Sequence, residues 1–129
     1  MSRVFCLMNH SLTQKQIAEL TDVYKCKEIV YPDETVSSMW SQVNSTNEKD
    51  VIQSVIFWLK AAKDGDYLII QGEFGLTFTL VDYALKEKLI PIYATSKRIA
   101  KESRVGETVH REYIFEHICF KKYEYFKEL

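Results

Sequence analysis

Three short stretches of the chain carry side chains able to hold an anion or move a proton: Asn9-His10-Ser11, Gln71-Gly72-Glu73-Phe74-Gly75-Leu76-Thr77, and Thr95-Ser96-Lys97-Arg98. His10 is a candidate general acid or base, since imidazole is the side chain best suited to proton exchange at neutral pH. A lone histidine can equally be structural. Lys97 offers a point charge and Arg98 a planar fork that grips phosphate through two bonds, although such a pair can also simply open a solvated segment. In the middle stretch, Gly72 and Gly75 let the backbone turn sharply and let a ligand approach. A helix starting there presents free amides and a partial positive charge to an anion. Thr77 either caps that helix or bonds a phosphate. The stretch is neither a P-loop nor a dinucleotide fingerprint, because no Gly-Lys-Ser/Thr follows, and a plain structural turn would also explain it. Glu73 suits an anion site poorly. It points to solvent, pairs with Arg98, or meets an adenine amino group.

The elements around these stretches must bring them together. Residues 3–9 and 66–72 are short apolar runs of the kind that form strands buried on both faces of a parallel sheet. KEIVY (27–31) and LIPIYAT (89–95) read as two further strands. Between them, Thr13 with Gln16 resembles a capping box ahead of Ile17 and Leu20. EKDVIQSVIFWLKAA, from Glu48, carries Val51, Ile52, Val55, Ile56 and Leu59 on one helical stripe, and a further helix is expected from about Thr77 to Lys88. Residues 33–47 are polar and ambiguous, with Met39 and Trp40 as possible anchors. Residues 97–122 read as an antiparallel hairpin turning around Val105-Gly106-Glu107. The expected fold is therefore a single α/β domain over 1–129, with a Rossmann-like, mainly parallel sheet flanked by helices and a C-terminal hairpin. In such sheets ligands bind beyond the carboxyl ends of the strands. That rule selects the three polar stretches.

The 129 residues, 47% hydrophobic and 27% charged, suit a globular chain, and the net charge of −1 gives no general attraction to duplex nucleic acid or to a membrane surface. Residues 97–122 nevertheless carry seven Lys/Arg against four Glu, a local net of +3. That is either a basic surface for an anionic ligand or a solvated hairpin of mixed charge. Three cysteines without paired spacing read as reduced, mostly buried thiols. No signal peptide or apolar run of membrane-spanning length is seen, so the cytoplasm is the expected compartment. His10, His110, His117 and the cysteines have no metal-ligand spacing. No metal or cofactor is expected, and His110 and His117 read as structural or interfacial. The last strand, REYIFEHICFKKY, is apolar on both parities, so one face packs on the core and the other calls for cover by a second copy in a two-fold dimer.

FCLMNHSLTQKQ, DYLIIQGEFGLTFTLVDYALKEKLIPIYATSKR and VHREYIFEHICFKKY together resemble the small Csx proteins of type III CRISPR loci, of the Csx-twenty type. The resemblance spans nearly the whole chain. Its most specific parts are Asn9-His10 with Leu12-Thr13, the segment 71–77, and 90–98. Family members often carry Ala at the place of Leu76 and Thr at the place of Ser96; Leu76 would narrow a pocket slightly. The resemblance implies a Rossmann-like homodimer related to sensor domains for cyclic oligoadenylate, acting as a ring nuclease that degrades cyclic tetra-adenylate and switches off antiviral signalling.

Such a ring carries its own nucleophile, the ribose 2′-hydroxyl, so cleavage needs no metal. On this view Lys97, Arg98, Thr77 and the amides near Gly72, Glu73 and Gly75 hold phosphates, and Asn9, Gln71 and Thr95 line the ligand. Phe74 stacks on a base, His10 exchanges the proton, and Arg111 closes over the ring or reaches across the dimer. The rivals are a module that binds the messenger without cutting it, and an interaction protein whose working surface is the hairpin.

Overall fold

The computed structural model describes residues 1–128. The chain runs β1 (Arg3–Leu7), α1 (Gln14–Asp22), β2 (Glu28–Val30), α2 (Glu34–Ser41), α3 (Glu48–Leu59), β3 (Tyr67–Ile70), α4 (Phe74–Lys86), β4 (Ile90–Val105) and β5 (Thr108–Lys122). One five-stranded sheet has the order β2-β1-β3-β4-β5. The first four strands are parallel, and β5 returns antiparallel to β4. The chain is thus an α/β fold with a mainly parallel sheet and a C-terminal hairpin.

Side chains alternate across a pleated strand, and here the alternation builds two cores. Phe5, Leu7, Leu68 and Ile70 pack with Trp40, Val51, Val55 and Leu80 on the side of α2, α3 and α4. Val4, Cys6, Ile69 and Ile92 pack with Leu20 of α1 and Phe120 of β5 on the other. β1 and β3 are central and buried on both faces, as their unbroken apolar runs require.

Three expectations change. The ambiguous segment 33–47 contains a true helix, α2, started by Asp33, whose carboxylate accepts from Val36 N at 2.9 Å. α4 begins at Phe74 rather than near Thr77. The fourth strand does not stop at 95: β4 continues to Val105, so the hairpin grows straight out of the sheet. Gly106, at φ 62°, makes the hairpin turn. No described helix is long and apolar enough to cross a membrane.

At the amino ends of the strands, Asp66 is 5% exposed. Burial raises its pKa, but hydrogen bonds from Arg3 N and Lys63 N, with the Arg3 guanidinium, outweigh that and hold it below the ordinary 3.8. A carboxyl depressed in the folded state stabilises above its unfolded pKa, and that contribution disappears as pH falls through the folded value. Asp66→Ala is therefore expected to cost about 1–3 kcal/mol at pH 7, because the two amides lose their acceptor. The deficit should shrink below about pH 4, measured by urea denaturation across pH.

Candidate functional site

β1 and β3 are neighbours, but the chain reaches β2 on one side of β1 before crossing to β3 on the other. This reversal opens a crevice at the carboxyl ends of β1 and β3, where loops leave the sheet in opposite directions. Asn9 and His10 follow β1 there, and Gln71 and Gly72 follow β3.

Three adjoining hollows occupy the crevice. One, of about 320 Å³, is walled by Asn9, His10, Gln71 and Gly72, with Phe74 and Thr77 of α4 and the rings of Tyr93 and Tyr123. A second, of about 450 Å³, lies on the α1 side among His10, Ser11, Gln16, Gln71, Ser96, Phe115 and His117. A third, of about 270 Å³, joins Asn9, His10 and Ser11 to Tyr31 and Ser37. His10 lines all three and Gln71 two. Among the described residues, no Lys or Arg lines any of them.

The structure brings Asn9, His10, Gln71, Gly72, Phe74 and Thr77 together, but it gives several of them work other than ligand binding. Gln71 Oε1 accepts from Ala94 N at 2.9 Å and its backbone N–H donates to Leu7 O, so it ties β3 to both neighbours. Only its amide nitrogen is left for a ligand. Gly72 has no left-handed φ. It is small because Trp40 lies against it: a Cβ would sit 2.6 Å from the indole, whose N–H donates to Gln71 O at 2.9 Å. Gly75 likewise has no left-handed φ, and a Cβ there would meet Glu73 Oε1 at 3.1 Å.

Glu73 is the N-cap of α4, its carboxylate accepting from Gly75 N and Leu76 N. The free helix amides expected to receive an anion are therefore taken by the chain's own carboxylate. Thr77 does not cap the helix. Its hydroxyl is buried beside the first hollow with no partner among the described residues, an unsatisfied donor and acceptor that a ligand could meet. Phe74 is 93% exposed at the mouth.

The cationic and hydroxyl residues of β4 and β5 stand differently. Thr95 Oγ1 donates to Cys119 O at 2.7 Å. Lys97 and Arg98 are exposed on the hairpin beyond the hollows, Lys97 opposite Glu116 and Arg98 with its guanidinium 4.0 Å from the Tyr113 ring centroid. Arg111 lies further out, 4.0 Å from Glu102.

Several wall residues escaped the sequence reading. Tyr93 and Tyr123 pack with ring centroids 4.7 Å apart and planes tilted by 50°, and Tyr123 Oη donates to Ile70 O at 2.6 Å. His117 has a definite structural partner, Glu19, at 2.6 Å, and Glu19 also accepts from Phe120 N at 2.9 Å. This network pins the root of the hairpin to α1. The lone helical Glu19 beside the apolar stripe was the available signal, but its partner lies about a hundred residues away. Burial pushes the Cys6 thiol up to about 12, so it is no nucleophile. Cys26 and Cys119 are free and half-buried.

A protein from Methanocaldococcus jannaschii, described as "Uncharacterized protein MJ1673", is 36% identical over 128 residues, covering 95% of this chain and 98% of its own. No solved structure matches. A family model described as the "Uncharacterized protein MJ1673 family" matches residues 2–121, and this chain belongs to that family.

Proposed function

We propose that the protein binds cyclic oligoadenylate, cyclic tetra-adenylate in particular, and opens the ring, acting as a ring nuclease that ends type III CRISPR signalling in the cytoplasm. The observation that carries this reading is the convergence of Asn9, His10 and Gln71 on shared hollows at the strand-order reversal. That is the place where Rossmann-like sheets hold nucleotides, and the resemblance of the sequence to Csx proteins supplies the ligand.

The chemistry needs neither metal nor cofactor. The ribose 2′-oxygen attacks the adjacent phosphorus in line with the 5′-oxygen. The 2′-O–P bond forms and the P–5′-O bond breaks, leaving a 2′,3′-cyclic phosphate and a 5′-hydroxyl. His10 takes the 2′ proton or returns one to the leaving oxygen, which is worth on the order of 10²–10⁴ in rate. Holding the hydroxyl in line supplies several kcal/mol more. Asn9, the amide nitrogen of Gln71 and the unpartnered Thr77 hydroxyl bond base or ribose edges. Phe74 offers a stacking face. Phosphate charge is met from the hairpin, by Arg98.

The working form in this reading is a two-fold dimer. A two-stranded ribbon is marginal alone in water, yet the hairpin leaves Val105, Ile114 and Ile118 exposed. A second copy over the Ile99–Ile114 side covers them, and a strictly monomeric sedimentation profile at micromolar concentration removes this element.

Incubation of purified protein with cyclic tetra-adenylate, with products resolved by chromatography, tests the reading. Linear product carrying a 2′,3′-cyclic phosphate over several turnovers, unaffected by chelator, is expected. An intact ring bound tightly reduces the protein to a binding module. Activity lost to chelator and restored by a divalent ion overturns the metal-free scheme, and absence of binding overturns the whole reading.

A further inference from the structure

Beyond Ser96 and His117 the hairpin leaves the body, and its pleat sorts side chains between two surfaces, cross-strand partners sharing one. One surface holds Lys97 with Glu116, Ile99 with Ile114, and Lys101 with Glu112. Each of these lysines has a glutamate opposite it in the ladder, and Glu116 also pairs with Lys15 of α1 at 2.7 Å. The other surface holds Arg98 with Phe115, Ala100 with Tyr113, Glu102 with Arg111, and Arg104 with Val109. Here Arg98 and Arg104 face no carboxylate across the ladder. Arg98 lies over the Tyr113 ring instead, and Tyr113 and Phe115 are 47% and 68% exposed.

This second surface continues into the crevice. Ala94 and Ser96 of the same parity line the 450 Å³ hollow with His117, and Phe115 belongs to both hollow and strip. The hollow has room for bases but no cation of its own. The strip beside it has two uncompensated arginines interleaved with two aromatic rings.

We propose that this surface of the hairpin is a track for a single-stranded adenylate chain, with Phe115 and Tyr113 stacking bases and Arg98 and Arg104 holding phosphates of the ligand seated in the hollow. Base–aromatic stacking needs only a π-face and an accessible ring. Arg98, cross-strand from Phe115, already lies 4.0 Å over one face of the Tyr113 ring, so a base stacks on the other face of Tyr113 or on Phe115. Arginine stacked on an aromatic ring keeps its N–H edge free for phosphate oxygens. The track rests on the oligoadenylate reading above and extends it to residues outside the crevice.

Fluorescence anisotropy with fluorescein-labelled linear tetra-adenylate tests the track on the full chain. Arg98→Ala and Tyr113→Ala are each expected to raise Kd about tenfold, and Tyr113→Phe should restore binding because the ring remains. Lys60→Ala removes the same charge as Arg98→Ala from an exposed position at the end of α3, away from both hairpin surfaces, and should change Kd by less than about twofold. Equal losses in Lys60→Ala and Arg98→Ala mean diffuse charge attraction and overturn the track, as does wild-type affinity in Arg98→Ala and Tyr113→Ala. In both of those outcomes the wild type still binds, so the oligoadenylate reading survives. A wild-type protein that ignores this linear probe overturns the track alone, because the reading it rests on is decided by the incubation with cyclic tetra-adenylate.

Discussion

His10→Ala lowers the single-turnover rate of ring opening by about 10²–10⁴ while leaving thermal stability unchanged and messenger affinity within about threefold. The expectation rests on how differently the structure treats two histidines. His117 is buried, bonded to Glu19 and set at the root of the hairpin, so replacing it disturbs structure. His10 is exposed, lines all three hollows, and has no hydrogen-bond partner among the described residues. An exposed side chain without a hydrogen-bond partner contributes little to folding, so its loss should register in chemistry alone. A substitution that removed only binding would raise the concentration needed for half-saturation and leave the saturated rate intact. Measuring Kd and the saturated rate separately distinguishes these cases, and a wild-type saturated rate in His10→Ala ends the assignment.

Trp40→Ala is expected to destabilise the fold by about 3–5 kcal/mol, the usual cost of deleting a buried aromatic. Against a typical total of about 5–15 kcal/mol this is a large fraction, equivalent to a fall of roughly 10–20 °C in Tm. Trp40 is 2% exposed, fills the core under α2, and donates to Gln71 O at 2.9 Å. Its ring also occupies the space that a side chain at position 72 would need. Removing it therefore empties a core position and releases the loop that presents Gln71 to the crevice. Trp40→Phe, which keeps most of the packing but leaves Gln71 O without its donor, should cost about 1–3 kcal/mol. Phe57→Ala, at a residue 76% exposed, should fall within about 0.5 kcal/mol. Chemical denaturation orders the three, and a Trp40→Ala midpoint no lower than that of Phe57→Ala would contradict the packing described.

Much of this was legible in local patterns. Unbroken apolar runs at 3–9 and 66–72 can be satisfied only by strands covered on both sides. Their alternation with amphipathic helices demands parallel pairing with crossovers. Once strands are parallel, their carboxyl ends lie at one edge, so Asn9, His10 and Gln71 had to approach one another whatever the details of packing. The capping box at Thr13 and Gln16 formed as its spacing implied, with both of its hydrogen bonds present. α2 was missed because its only apolar anchors, Val36, Met39 and Trp40, stand among serines that favour helix and turn about equally.

What remained hidden depended on distance in sequence or on a single residue of register. Whether α4 starts at Phe74 or Thr77 decides whether Glu73 is a cap or a ligand contact, and periodicity does not resolve three residues at a helix end. That Gly72 is small for an indole was invisible, because Trp40 lies in another element and meets it only through packing. Lys97 and Arg98 look like one cationic pair in the chain. Pleating sends them to opposite surfaces, and the pairing of β4 with β5 then gives Lys97 a glutamate and Arg98 a tyrosine. A slip of one residue would exchange those fates.

By itself, then, the sequence determined the α/β class, the parallel central strands and the edge where polar residues gather, since those follow from hydrophobic period and chain connectivity. Only the tertiary structure decided which of those residues are free to act. Hydrogen bonds and packing partners from remote elements occupy Glu73, Gly72 and part of Gln71, and they leave His10, the Thr77 hydroxyl and the arginine face of the hairpin open.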